Sequence, residues 1–176
     1  MEPAELRIQL EALHAESFGW ALACSDPWLA ESVLQRSYLK VLEGRARYDA
    51  RSSFKTWFFG VVRNTAREER RRALWRKLRL LPPEAAEAIA RPGSAEVDLV
   101  EAEQREAFRR LLARLPRRQC EALHLVFYQE LTLEEAAQAM GIGLGSARTH
   151  YERGKKRLRE MLEQEQVEYD ARRARA

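Results

Sequence analysis

Apolar side chains recur at helical spacing along most of this chain. Leu6, Leu10, Leu13 and Ala21, with polar residues between them, predict an amphipathic helix over 5–24 that breaks near Gly19. Asp26-Pro27 has the form of a helix start, and Leu29, Val33, Leu34, Tyr38, Val41 and Leu42 continue the period until Gly44 ends it. Arg45 to Ser53 is polar and predicts a loop. Phe54, Trp57, Phe58, Val61 and Val62 then start a third helix, which Leu81-Pro82-Pro83 stops. With the breaker cluster Arg91-Pro92-Gly93-Ser94, residues 81–97 read as a linker between an N-terminal domain (1–80) and a C-terminal one (98–164). A new helix is expected from near Glu96 to Leu115. The polar tail, 165–176, is expected to fray.

The C-terminal third is the most specific part. Leu115-Pro116-Arg117-Arg118-Gln119 leads into an apolar helix. Thr132, with Glu135 three residues on, forms a capping box that starts a helix at Leu133. Leu133, Ala136, Ala137 and Met140 would face inward, the alanines letting a second helix cross closely. Gly141 supplies the positive backbone angle of a tight turn, and Ile142 plugs the corner. In the helix from Leu144, the residues Ala147, Tyr151, Gly154 and Leu158 share one face. The opposite face carries Ser146, Arg148, Thr149, Glu152, Arg153 and Lys156. Arginines suit guanine edges or phosphates, hydroxyls suit phosphate or base, and a carboxylate can accept from cytosine. The pattern predicts a helix-turn-helix with duplex DNA as its expected ligand, against the plainer reading of a helical hairpin with a solvated charged face.

Composition narrows the class. Charged residues are 33% and hydrophobic ones 45%, with only 8 Gly and 6 Pro, which favours an all-helical globular protein. The net charge of +4 is modest, but it is unevenly spread. Arg63, Arg67, Arg70, Arg71, Arg72, Arg76, Lys77 and Arg79 face only Glu68 and Glu69; from Glu84 to Glu106 the sign reverses. Aromatics beside such a basic strip are what single-stranded DNA needs, although Trp57 and Phe58 also suit a core. Cys24 and Cys120 lack ligand spacing and read as small core residues in a reducing cytoplasm. No secretory or membrane-spanning stretch is evident, and no metal or cofactor is expected. His14, His124 and His150 are scattered, and neither a phosphate loop nor a nucleophile elbow occurs, so no enzyme is indicated.

In this order and spacing, the segments Ala30–Val41, Ser53–Ala66 and Leu115–Leu162 resemble an extracytoplasmic-function (ECF) sigma factor of bacterial RNA polymerase, over about residues 10 to 162. The resemblance implies an all-α fold of two small helical domains, region 2-like and region 4-like, joined by a linker that threads the polymerase channel. It implies core RNA polymerase (clamp and flap) and promoter DNA as partners. Ser32, Val33, Gln35, Arg36 and Leu39 would bind core polymerase. Asn64 would sit near a flipped −10 base, in a pocket formed partly by the loop from Tyr48 to Ser53, with Arg63, Arg67 and Arg71 on the strand's phosphates. Ser146, Arg148, Thr149, Glu152, Arg153 and Lys156 would bind the −35 element. Opening DNA costs a few kcal/mol per unstacked step, which capture of an extruded base offsets.

One segment departs from the pattern. Where the family has acidic residues in its polymerase-binding helix, this chain reads Leu29-Ala30-Glu31-Ser32 and Gln35-Arg36, and Arg36 should repel a basic clamp. Phosphorylation adds about −1.5 to −2 charges and could supply what is missing. Thr56 is the favoured site among Ser32, Ser37, Ser52 and Ser53, which makes a Ser/Thr kinase a candidate partner beside an anti-sigma factor. The alternative is a helix-turn-helix regulator that acts without polymerase, for which the segment around Asn64 would have no use.

Overall fold

The computed structural model describes residues 2–79, 111–112 and 114–173, with side chains to Trp75 in the first stretch and to Gln164 in the last. The proposed linker and the helix expected from Glu96 lie largely outside the described residues. Helices α1 (Pro3–Ala12), α2 (His14–Cys24), α3 (Ala30–Leu42) and α4 (Phe54–Arg79) make the N-terminal part. Then come α5 (Arg117–Leu123), a π-helical turn (His124–Tyr128), α6 (Leu133–Met140) and α7 (Leu144–Arg173). No strand occurs among the described residues.

Local chemistry explains most boundaries. Asp26-Pro27 opens a short 3-10 turn, Pro27–Leu29, that feeds α3. Gly44, at φ +70°, ends the α3 segment in the left-handed region a side chain resists. Ser53 caps α4: its hydroxyl accepts from the Thr56 amide at 3.2 Å. The expected break near Gly19 falls instead at Leu13, whose backbone closes α1 and opens α2 (φ −91°, ψ 4°); Gly19 stays helical within α2. The tail is likewise helical to Arg173. Beyond Gly154, α7 meets neither Gly nor Pro, and its Glu, Gln, Arg and Ala are good helix formers.

The larger apolar core runs through both halves. Trp20, Val33, Phe58, Phe59, Val62 and Ala66 of the first pack with Ala122, Leu125, Leu131, Ala136, Ala139 and Met140 of the second. Trp20 anchors it, its indole N–H donating to the Phe59 carbonyl at 2.9 Å. His124 lies between the Trp20 and Tyr128 rings, with centroids at 5.6 and 5.2 Å. Helix α6 lies along α4. A second cluster, Leu111, Leu112, Leu115, Leu123, Leu158 and Met161, holds α5 against α7. Gly154 makes that crossing possible: a Cβ there would sit 3.1 Å from both Gln119 Cβ and Leu123 Cδ1.

The ion pairs explain the acids inside the basic strip. Glu69, buried, takes Arg36 at 3.0 Å and Arg72 at 2.8 Å; Glu68 takes Lys40 at 2.8 Å. These carboxylates staple α4 to α3. Both cysteines are free thiols pushed up mainly by burial, Cys24 to about 12 and Cys120 to about 11, so neither is a reactive thiolate.

Two predictions follow from this packing. Burial lowers the His124 pKa from 6.5 to about 4, so the unfolded chain takes up a proton before the folded one does. Stability contributed by neutral His124 is therefore complete above pH 6.5 and lost as pH falls towards 4. Urea unfolding across that range should show the slope, and His124→Gln should flatten it. At the α5–α7 crossing, Gly154→Val should overpack Leu123 and cost about 1–3 kcal/mol, read as a lowered urea midpoint at unchanged m.

Candidate nucleic-acid interface

The helix-turn-helix forms from local rules. Thr132 Oγ1 accepts from the Glu135 amide at 3.2 Å, and the Glu135 carboxylate accepts from the Thr132 amide at 2.9 Å. Gly141 adopts φ +58°, and α7 starts at Leu144. Ala136, Ala137 and Met140 are buried, with Leu133 half-buried at the rim. On α7, Ala147, Gly154 and Leu158 are buried and Tyr151 is half-buried against Phe127, ring to ring at 5.8 Å.

That packing turns Ser146, Arg148, Thr149, Glu152, Arg153 and Lys156 outward, all six exposed on one helical face. Thr149 Oγ donates to the Gly145 carbonyl at 2.9 Å, and Glu152 meets Lys155 at 3.3 Å. His150, between these residues, has its pKa lowered by burial and then by Arg118 and Arg153, a sign of locally positive potential. Arg153 and Lys156 also border a groove of about 530 Å³ shared with Arg157 and Gln119.

The upstream strip divides into two faces of α4. Asn64, Arg67 and Arg71 are exposed. Asn64 lines a cleft of about 300 Å³ with Arg51 and Ser52 from the loop, Thr56, Trp57, Gly60 and Val61 from α4, and Gln138 from α6. Tyr48 braces the loop behind it: its hydroxyl donates to the Ser52 carbonyl at 2.6 Å, and its ring lies 5.3 Å from Trp57. Phe54, Phe58 and Phe59 are core, whereas Trp57 is the aromatic that reaches the cleft.

Three expected roles need correction in this arrangement. Arg63 is not on the exposed face. Its side chain, 6% exposed, donates from Nε to Glu121 Oε2 at 2.8 Å and from Nη1 to the Met140 carbonyl. Phe59, Val62, Arg63 and Ala66 form one buried stripe of α4, so Arg63 has no open path to a phosphate here. Val33 is fully buried and presents nothing to a partner; it packs α3 into the core. Thr56 is 1% exposed, with its Oγ1 accepting from the Ser53 hydroxyl at 2.8 Å, so it serves the start of α4 and is shielded from a kinase. Of the other candidates on α3, Gln35, Arg36 and Leu39 are exposed and Ser32 is half-buried. Arg36 is already matched by Glu69, which reduces the repulsion expected of it. Leu39 (53%) and Leu42 (55%) leave an apolar edge beside them.

Gly60 and Gln138, which the pattern did not single out, complete the cleft beside Arg51 of the expected loop and Trp57 of the aromatic run. Glu121 and Arg117 were also missed; Arg117 Nε donates to the other Glu121 oxygen at 3.0 Å. The spacing of four between them was a visible signal for that pair. Nothing local signals the Arg63 partner, 58 residues away. Among the described residues, no group of acids, His or Cys could hold a metal, and no helix is long and apolar enough to cross a membrane.

Known proteins match both halves. The sigma-70 region 2 family matches residues 14–76 and the sigma-70 region 4 family residues 105–158. The RNA polymerase sigma factor CarQ of Myxococcus xanthus is 31% identical over 140 residues, 80% of this chain and 78% of its own. The ECF RNA polymerase sigma factor EcfG of Rhodopseudomonas palustris is 26% identical over 133 residues, 76% of this chain and 71% of its own. In fold, the sigma factor RpoE of Bartonella quintana, solved with the anti-sigma factor NepR, superposes with a TM-score of 0.66 at 22% identity, covering 90% of this chain and 97% of that one. With both conserved regions matched in order on an all-helical framework, this chain belongs to the ECF class of RNA polymerase sigma factors, which are transcription initiation factors and not enzymes.

Proposed function

We propose that this chain docks on core RNA polymerase through the exposed edge of α3 and reads a promoter at two places. Residues 1–80 act on the −10 element, where Asn64 and the loop from Tyr48 take an unstacked base and Arg67 and Arg71 hold strand phosphates. Residues 98–164 act on the −35 element, where α7 enters the major groove of intact duplex. The observation that carries this reading is the α7 face: six polar and charged side chains held outward by the buried stripe opposite them. The cleft at Asn64 supports the strand-opening half, since it combines an amide, a guanidinium and an aromatic wall around a space of about 300 Å³, roomy enough for a base.

A kinase switch rests on the acids replaced in α3 alone, because the Arg36 charge is already met by Glu69. The anti-sigma reading gains support from a neighbour in fold, RpoE, having been solved with NepR.

Transcription by core polymerase, with this chain as sole specificity subunit, tests the main proposal. Failure to co-sediment with core polymerase would favour the plain regulator instead. On −35 duplex, Arg148→Ala should cost about 1–3 kcal/mol if its guanidinium reads a base. Lys156→Ala should weaken binding evenly across sequences and reduce the slope of log K against log salt by about one. Asn64→Ala should leave duplex affinity unchanged while reducing permanganate-reactive thymines in the −10 region.

A further inference from the structure

The −35 face does not account for all of the charge on α7. Arg153, Arg157, Glu160 and Gln164 recur at i, i+4, i+7 and i+11, so they form one stripe beside the buried stripe of Gly154, Leu158 and Met161. Because Gly154 has no side chain, α5 comes close enough to bring Gln119 to this edge of α7. Along the seam runs the groove of about 530 Å³, a volume within the roughly 300–1,000 Å³ of small-ligand sites.

Duplex DNA serves one end of this groove only. Recognition helices set their N-terminal residues against base edges. Arg157 and Gln164 lie roughly 20 and 30 Å along the axis from Leu144, at 1.5 Å per residue. Arg153 and Lys156 belong to the DNA face, and the rest of the groove continues past it. Among the described residues, no carboxylate pairs with Arg153 or Arg157, and Glu160, 4.0 Å from Lys156, is the one acid of the lining.

Gln119 narrows the chemistry further. Its Oε1 is buried and meets no donor among the described residues. An acceptor left so is unfavourable, and a ligand that brings an O–H or N–H removes the cost. The backbone of duplex DNA offers acceptors alone, whereas a ribonucleotide has sugar hydroxyls beside its phosphates. Further along, Met161 gives the wall an apolar thioether, a good neighbour for an aromatic ring.

We propose that the α5–α7 groove binds a nucleoside polyphosphate, with Arg153, Lys156 and Arg157 on the phosphates, Gln119 on the ribose and Met161 against the base, and that this ligand excludes duplex DNA by occupying Arg153 and Lys156. Exclusion of DNA rests on the reading of α7 as the −35 helix; the site itself stands apart from it. By mass action, nucleotide concentration then sets the fraction of α7 open to duplex.

The full chain is titrated by calorimetry with ATP, GTP and inorganic tripolyphosphate. A labelled mixed-sequence duplex bound to it is followed by fluorescence anisotropy as each is added. Arg157→Ala and Gln119→Leu lie outside the proposed −35 residues, and circular dichroism checks that both fold. ATP or GTP should bind wild type at least tenfold more tightly than tripolyphosphate and displace the duplex. Arg157→Ala should weaken nucleotide binding at least tenfold while duplex affinity stays within twofold of wild type. Gln119→Leu should bring nucleotide affinity down to that of tripolyphosphate. Tripolyphosphate that binds wild type as tightly as the nucleotides overturns the nucleoside assignment. Heats that are absent at millimolar nucleotide, or unchanged in Arg157→Ala, overturn the site. Nucleotide that binds without displacing duplex overturns the exclusion. Wild type that takes nucleotide but no duplex leaves the site standing and overturns the reading of α7. Should Gln119→Leu unfold, Arg157→Ala and the tripolyphosphate comparison still decide the question.

Discussion

The buried pair of Arg63 and Glu121 is the constraint on which the arrangement of the two halves depends. Much of the surface that α5 and α6 turn towards the N-terminal half is small: Ala122, Ala136 and Ala139 are buried there. Small side chains allow close approach but specify register poorly, because alanine on alanine slides at little cost. A guanidinium held on a carboxylate and on a helix-terminal carbonyl has one geometry only. Burying two ions is unfavourable unless both are fully paired, and removing one partner costs about 3–5 kcal/mol. The pair adds little net stability over an apolar contact, but it makes misplaced dockings of the two halves expensive.

Legibility in the sequence followed the range of the interactions. The capping box, the Gly141 turn and the outward face of α7 depend on residues within a few positions of one another, and pattern alone located them. Arg63 is the instructive failure. It opens a run of cations and was read with them, yet it occupies the same stripe of α4 as Phe59, Val62 and Ala66, all buried. Helical phase thus sets it apart from Asn64, Arg67 and Arg71. Phase could have flagged the burial; it could not have supplied Glu121. Arg36 failed similarly, its charge answered by Glu69 across 33 positions. The π-helical turn at His124–Tyr128 and the break at Leu13 carried no Gly or Pro signal, because tertiary packing sets both.

Thr56 shows how one residue can satisfy a functional and a structural pattern at once. A threonine in the first turn of a basic helix is well placed for a phosphate, given the positive end of the helix dipole and nearby arginines. It is equally well placed to receive a serine hydroxyl and tie down the loop, which is what it does here. The loop from Tyr48 to Ser53 is one wall of the Asn64 cleft, so the Ser53–Thr56 contact and the Tyr48 hydroxyl bond to Ser52 shape that cleft from behind.

A charged closure also has a property that an apolar one lacks. When an apolar interface opens, its surface meets water and nothing is returned. When Arg63 and Glu121 separate, both ions regain hydration, which offsets much of the attraction lost. Packing held in this way is thus specific in register yet modest in net stabilisation. The exposed cations of α7 differ from Arg63 in keeping their hydration, and their field reaches into solvent.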